Sequence, residues 1–198
     1  MNTYYAKADT LLGTALAPLD WTRAVGLVFA FSLLTALAAQ IVIPIGPVPI
    51  TGQTFAVLLT GALLGSRLGA MAMIAYLIEG ASGFPFFYGG TGGLSHIFGP
   101  TGGYLVAFPA AAFITGAFAE NGWDKRFLTA VVAMAAGSVL ILLAGVAWLS
   151  VSTHTQPGVA LRVGAAPFIL GDIIKILLAA AVLPSGWLLL KRKGTTSE

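Results

Sequence analysis

Cysteine is absent from the 198 residues, which excludes disulfides, thiolate metal sites and a cysteine nucleophile, and leaves thiols silent on redox compartment. Histidine occurs twice, at His96 and His154, without metal-ligand spacing. Charge is scarce too. Ten Lys and Arg with seven Asp and Glu make 9% of the chain, where a soluble domain carries about 25%. A net charge of +3 is too small for a nucleic-acid footprint or a solvated disordered tail. No Lys follows a Gly, so G-x-x-x-x-G-K-[ST] is missing, and neither G-x-S-x-G nor H-E-x-x-H occurs. The chain has no P-loop with which to hydrolyse ATP; if it pumps, another subunit supplies the energy.

What is present is apolar length. Hydrophobic residues make 58% of the chain, and the mean hydropathy is +0.93. At about 20 residues per crossing there is room for six or seven spans. We read residues 1–198 as one integral-membrane domain with a core over 22–190. Residues 1–21 form an interfacial or loose N-terminal segment, because the apolar run at 11–17 is too short for a signal peptide and Asp9 precedes it.

The first span is expected over 22–43, anchored by Trp21 and Arg23 and ended by Pro44, Pro47 and Pro49. Residues 54–83 are interrupted at 65–69. Arg67 decides between one long helix and a hairpin, since a single span would leave it near the bilayer centre. The hairpin gives two short helices that belong inside a bundle. Residues 83–103 hold eight glycines and five aromatics, a loop with something to cover. Further spans follow over 104–119, 127–151 and 167–190, separated by a polar turn at 120–126 and a polar stretch at 152–164.

The fold class is therefore an all-α membrane protein, a bundle of six transmembrane helices. Lys7, Arg23, Arg67, Lys125, Arg126, Lys191, Arg192 and Lys193 then share the side of the termini, and the opposite side has Arg162 alone. By the positive-inside rule both termini, including the basic tail at 191–198, are cytoplasmic.

Within the spans, Asp172 and Lys175 form the one credible ion pair. Three residues apart, they share a helix face about 9 and 13 Å below the outer surface of a roughly 30 Å core. An intramembrane pair usually marks a pathway or ligand site, with a self-neutralised inert pair as the alternative. Thr51 and Gln53 open the second helix on the same outer side. Thr51 suits a helix cap, and Gln53 offers an amide that both donates and accepts. Glu79 is either a third polar wall residue or a snorkelling surface acid. His96 and His154 are solvated loop residues. The glycine steps Gly61, Gly65 and Gly69 signal close helix packing, and Gly26, Ala30, Ser32 and Ala36 form a second small-residue stripe for bundle packing or for docking another membrane protein.

Four stretches occur in order: Pro-x-x-Pro-Val-Pro-Ile-Thr-Gly-Gln-Thr-Phe-Ala-Val-Leu-Leu at 44–59, Gly83-Phe84-Pro85-Phe86-Phe87, Gly99-Pro100-Thr101-Gly102-Gly103-Tyr104-Leu105, and Pro167-Phe168-x-x-Gly171-Asp172-x-x-Lys175. Together, over roughly 22–190, the chain resembles the BioY biotin transporters, the substrate-binding or S components of energy-coupling factor (ECF) transporters. It differs in carrying Phe86 where that family usually has valine. The resemblance implies a membrane subunit that captures biotin with high affinity from outside. It also implies a transmembrane coupling subunit and two ATP-binding-cassette ATPases as partners, ATP being used only by those ATPases. Asp172 and Lys175 match family positions that line the biotin site, with Phe87 and Tyr104 closing over the ligand.

Biotin suits such residues: an apolar fused ring for an aromatic wall, and a ureido group and carboxylate for Asp172, Gln53 and Lys175. No cofactor and no nucleic acid are expected. Self-association is left open, and the location is a bacterial or archaeal cell membrane, the inner one in a Gram-negative cell. Two other readings remain: an intramembrane enzyme using Asp172 and Lys175 as acid and base, and a membrane assembly or sensor protein with a structural pair.

Overall fold

The computed structural model describes residues 10–195, with side chains described as far as Leu190. The expectations on Lys7 and on the side chains of Lys191, Arg192 and Lys193 fall outside these.

A short helix α1 (Leu11–Ala15) is capped by the Thr10 hydroxyl, which accepts from the Gly13 amide. Helix α2 (Trp21–Ala38) is capped by Asp20, which accepts from the Arg23 amide at 2.8 Å. The chain then forms a two-stranded ribbon, β1 (Val42–Ile43) against β2 (Ile50–Thr51), with Val42 opposite Thr51. The hairpin expected at 65–69 is present as α3 (Gln53–Leu64) and α4 (Ser66–Ala81), joined at Gly65, whose φ of +86° suits glycine alone. Arg67 is exposed at this turn. After a one-turn 3₁₀ segment at Tyr88–Gly90 come α5 (Leu94–Phe98), α6 (Gly102–Glu120), α7 (Phe127–Ser152), α8 (Pro157–Gly164) and α9 (Ala166–Thr195).

The protein is all-helical apart from the small ribbon. Among the described residues four helices are long and apolar enough to cross a membrane: α2, α6, α7 and α9. At 12 and 16 residues, α3 and α4 reach about 18 and 24 Å against a core of about 30 Å. Helix α6 is the centre of the bundle. Of its span 61% is buried, against 28% for α2 and 17% for α9, and it packs on α3, α4 and α7. Outward positions stay apolar, as at Leu37, Ile78, Leu143, Leu170 and Leu178, the pattern of a lipid-facing surface.

The glycine stripe is internal packing. A Cβ on Gly61 would collide with the Ala112 carbonyl of α6, and one on Gly69 would lie 2.9 Å from Gly61 Cα. The second stripe splits: Ser32 and Ala36 are buried, whereas Gly26 and Ala30 face outward. Glu120 closes the α3–α4 turn. Its Oε1 accepts from both the Ser66 amide (2.7 Å) and hydroxyl (2.8 Å), placing an anion at the start of α4.

Four expectations need correction. Helix α2 ends at Ala38, not at Ile43, because the Gln40 amide takes the Ala36 carbonyl and the Gly52 amide donates to Ile41, drawing the chain into the ribbon. The polar stretch at 152–164 contains α8, begun by Pro157 and buried at Ala160 and Gly164. Residues 10–13 are docked and not loose: Thr10 abuts Gly65, and Leu11 abuts Gly186 of α9. The turn at 120–126 is polar in sequence, yet Asp124 is fully buried, accepting from the Trp187 indole at 2.6 Å.

Candidate functional site

The ribbon, the α3 start, the glycine-rich loop, α6, α7 and α9 converge on one cavity. Its wall combines rings, Phe87, Tyr88, Tyr104, Phe108 and Phe168, with a few polar groups, Thr51, Gln53, Thr54, Thr101 and Lys175.

Five of the six residues singled out in the sequence are on this wall: Thr51, Gln53, Phe87, Tyr104 and Lys175. The sixth, Asp172, stands behind it. Its side chain is 7% exposed and that of Lys175 is 17% exposed. The Asp172 carboxylate accepts from Lys175 Nζ at 3.4 Å through Oδ1 and from the Ser138 hydroxyl at 2.9 Å through Oδ2. Lys175 Nζ also donates to the Thr51 carbonyl and to Thr54 Oγ1, each at 2.8 Å. All three ammonium protons thus have acceptors on α9, β2 and α3, which fixes the cation at the wall. Charge-assisted bonds of this kind are the strong ones.

Thr51 is not the cap of α3, whose N-cap is Gly52. Its Oγ1 accepts from the Gln53 backbone N–H at 3.3 Å, and its hydroxyl donates to Gln53 Oε1 at 2.8 Å while the residue lines the cavity. Gln53 Nε2 donates to Tyr76 Oη at 2.5 Å, and Tyr76 donates to the Phe86 carbonyl at 3.1 Å. Ser138, Thr54 and Tyr76 were not singled out in the sequence. A hydroxyl midway along the otherwise apolar α7 was the available signal for Ser138.

The aromatic residues are set by small partners. Phe87 has no exposed surface, and its ring lies where a Cβ on Gly80 would be. It packs edge-on to Tyr76 at 5.7 Å. Tyr104 stacks on Phe168 at 6.0 Å and donates to the Gly164 carbonyl at 2.7 Å, so it ties the end of α8 to the cavity. His96 is not a solvated loop residue: it sits between Phe87 (5.4 Å) and Tyr88 (5.6 Å). His154 is exposed at φ +51°. Glu79 is neither on the cavity wall nor a free surface acid; it accepts from the buried Ser32 hydroxyl across the α2–α4 contact. Among the described residues no group of three or more His, Asp or Glu could hold a metal ion.

An apolar, lipid-facing bundle around an aromatic cavity with a fixed cation on its wall defines a multi-pass membrane protein with an internal pocket. The chain belongs to the BioY family, whose sequence pattern it matches over residues 7–192. It is 43% identical over 161 residues to a probable biotin transporter BioY of Pyrococcus horikoshii, covering 81% of this chain and 93% of that one. It is 38% identical over 152 residues to the biotin transporter BioY of Thermotoga maritima, covering 77% and 88%. In three dimensions it resembles the crystal structure of the S-component for biotin from an ECF-type ABC transporter, with a TM-score of 0.76 at 26% identity over 83% of this chain and 90% of that one.

Proposed function

We propose that the protein is a biotin-binding membrane uptake subunit. It takes biotin from the outer side into the cavity between Phe87, Tyr104 and Lys175, and leaves the molecule unmodified. The observation that carries this reading is the cavity itself: rings matched to an apolar bicycle, beside an amide and an ammonium matched to polar groups, in a family whose members are biotin transporters. That membership also sets aside the intramembrane enzyme and the assembly protein.

In this reading Gln53, Thr51 and Lys175 meet the polar groups of biotin, Lys175 exchanging one of its three protein acceptors for the ligand, and Asp172 acts by holding Lys175 in place. Residues 1–198 form one membrane domain in which α3 and α4 complete six crossings. Both termini are cytoplasmic, in the cell membrane of a bacterium or archaeon, and no cofactor is required. Energy comes from a partner module, a coupling subunit with two ATP-binding-cassette ATPases. The match to an S-component supports that partnership.

Uptake of labelled biotin by cells lacking their own transporter tests the function. Cells expressing the chain with an ECF module should accumulate unmodified biotin, and Lys175→Ala should abolish this. Recovery of a chemically altered product, or accumulation independent of Lys175, would contradict it.

A further inference from the structure

The orientation of Gln53 is set by a residue that never reaches the cavity. The Phe86 carbonyl can only accept, so the Tyr76 hydroxyl must spend its proton there, at 3.1 Å. The Tyr76 oxygen is then available only as an acceptor, and it faces the Gln53 amide at 2.5 Å. That contact is satisfied only when the NH₂ end of the amide points to Tyr76. Thr51 cannot set the direction, because a hydroxyl donates to the oxygen end or accepts from the nitrogen end equally well. Tyr76 itself is held immobile: it has no exposed surface and is ringed by Phe86, Phe87 and Phe108 at centroid distances of 6.4, 5.7 and 6.3 Å.

We infer that Tyr76 is a specificity-determining positioning residue: by locking the Gln53 amide it makes this part of the wall present an N–H donor, which selects a ligand with a carbonyl oxygen there, the ureido oxygen of biotin. One hydrogen of Gln53 Nε2 serves Tyr76, and the other has no acceptor among the described residues although Gln53 lines the cavity. The inference rests on the reading of biotin as the ligand.

The test compares equilibrium affinities for biotin, for 2-iminobiotin, in which a donor replaces the ureido oxygen, and for biotin methyl ester, which alters only the carboxylate end. The purified full chain in detergent is used. Tyr76→Phe keeps the ring and frees the amide to turn. The preference for biotin over 2-iminobiotin should fall about tenfold, the worth of roughly one hydrogen bond, while the preference over the methyl ester stays unchanged. Thr51→Val should weaken all three ligands and keep both preferences. Gln53→Glu, an acceptor-only side chain, should reverse the order of biotin and 2-iminobiotin, and it serves equally if Tyr76→Phe fails to fold. A Tyr76→Phe protein that loses all ligands in proportion, or a Gln53→Glu protein that still prefers biotin, overturns the inference. A wild-type chain that binds no biotin refutes the ligand instead.

Discussion

Asp172→Asn separates a working cation from a self-cancelling pair. At 3.4 Å and an effective dielectric constant of about 20, the gross attraction between Asp172 and Lys175 is roughly 5 kcal/mol. Desolvation offsets much of it, and breaking one half of a buried pair costs about 3–5 kcal/mol. Here the lower part of that range applies, or slightly less. Lys175 keeps Thr51 and Thr54 as acceptors, and an asparagine oxygen still accepts from Ser138. A loss of about 2–3 kcal/mol lowers the melting temperature by about 5–10 °C for a chain of this size, and biotin binding should weaken as Lys175 loses its orienting partner. The second variant is decisive. Asp172→Asn with Lys175→Met removes both charges and leaves no buried ion, so its melting temperature should return to within a few degrees of wild type. Its biotin binding should not return. Thermal unfolding and equilibrium binding of labelled biotin in the same detergent give both readouts. The reasoning is refuted if the double variant binds biotin normally, which would make the pair structural, or if Asp172→Asn changes neither quantity.

Three further outcomes follow from the same geometry. Gly80→Val places methyl groups inside the Phe87 ring; it should destabilise by about 1–3 kcal/mol and make residues 83–93 more sensitive to protease, with unchanged cleavage counting against the packing. Gly61→Leu should be worse tolerated than Gly26→Leu, since only the former faces the Ala112 backbone; equal melting temperatures would contradict internal packing of that stripe. Burial raises the Asp124 carboxyl above its ordinary value of 3.8, with the Trp187 indole opposing the shift. The folded state therefore holds that proton more tightly than the unfolded one, and the contribution of this group to stability declines as pH rises from about 4 through the raised value. Asp124→Asn should flatten that part of a melting temperature against pH curve, and an unaltered curve would show that Asp124 does not titrate differently in the fold.

The elements legible in the sequence were those set by local chemistry with one strong alternative. Arg67 could not sit at mid-bilayer, and the chain turns at Gly65 beside it. Asp172 and Lys175 could not face lipid three residues apart on one helix, and they meet with Lys175 on the cavity wall and Asp172 behind it. What was not legible depends on partners far along the chain. The early end of α2 involves Gln40 reaching the Phe87 carbonyl, 47 residues away, and Glu79 is explained by Ser32 at the same separation. Tyr76 reads as one more apolar residue of α4 until Gln53 and the Phe86 carbonyl are placed on either side of its hydroxyl. The hydroxyl that holds Asp172 beside Lys175, that of Ser138, lies 34 residues away on α7. Helix α8 hid in a stretch whose polarity suggested a loop, because its burial depends on two small residues, Ala160 and Gly164, lodged against other helices.

The most direct test is a structure of the protein determined with biotin bound. The ligand should lie between Phe87, Tyr104 and Phe168, with a polar group of biotin within hydrogen-bond distance of Lys175 Nζ or the Gln53 amide. Biotin found instead in the apolar groove between α5, α6 and α7, lined by Ile97, Gly103, Ala144 and Trp148, or density at no internal position under saturating ligand, would contradict the assignment.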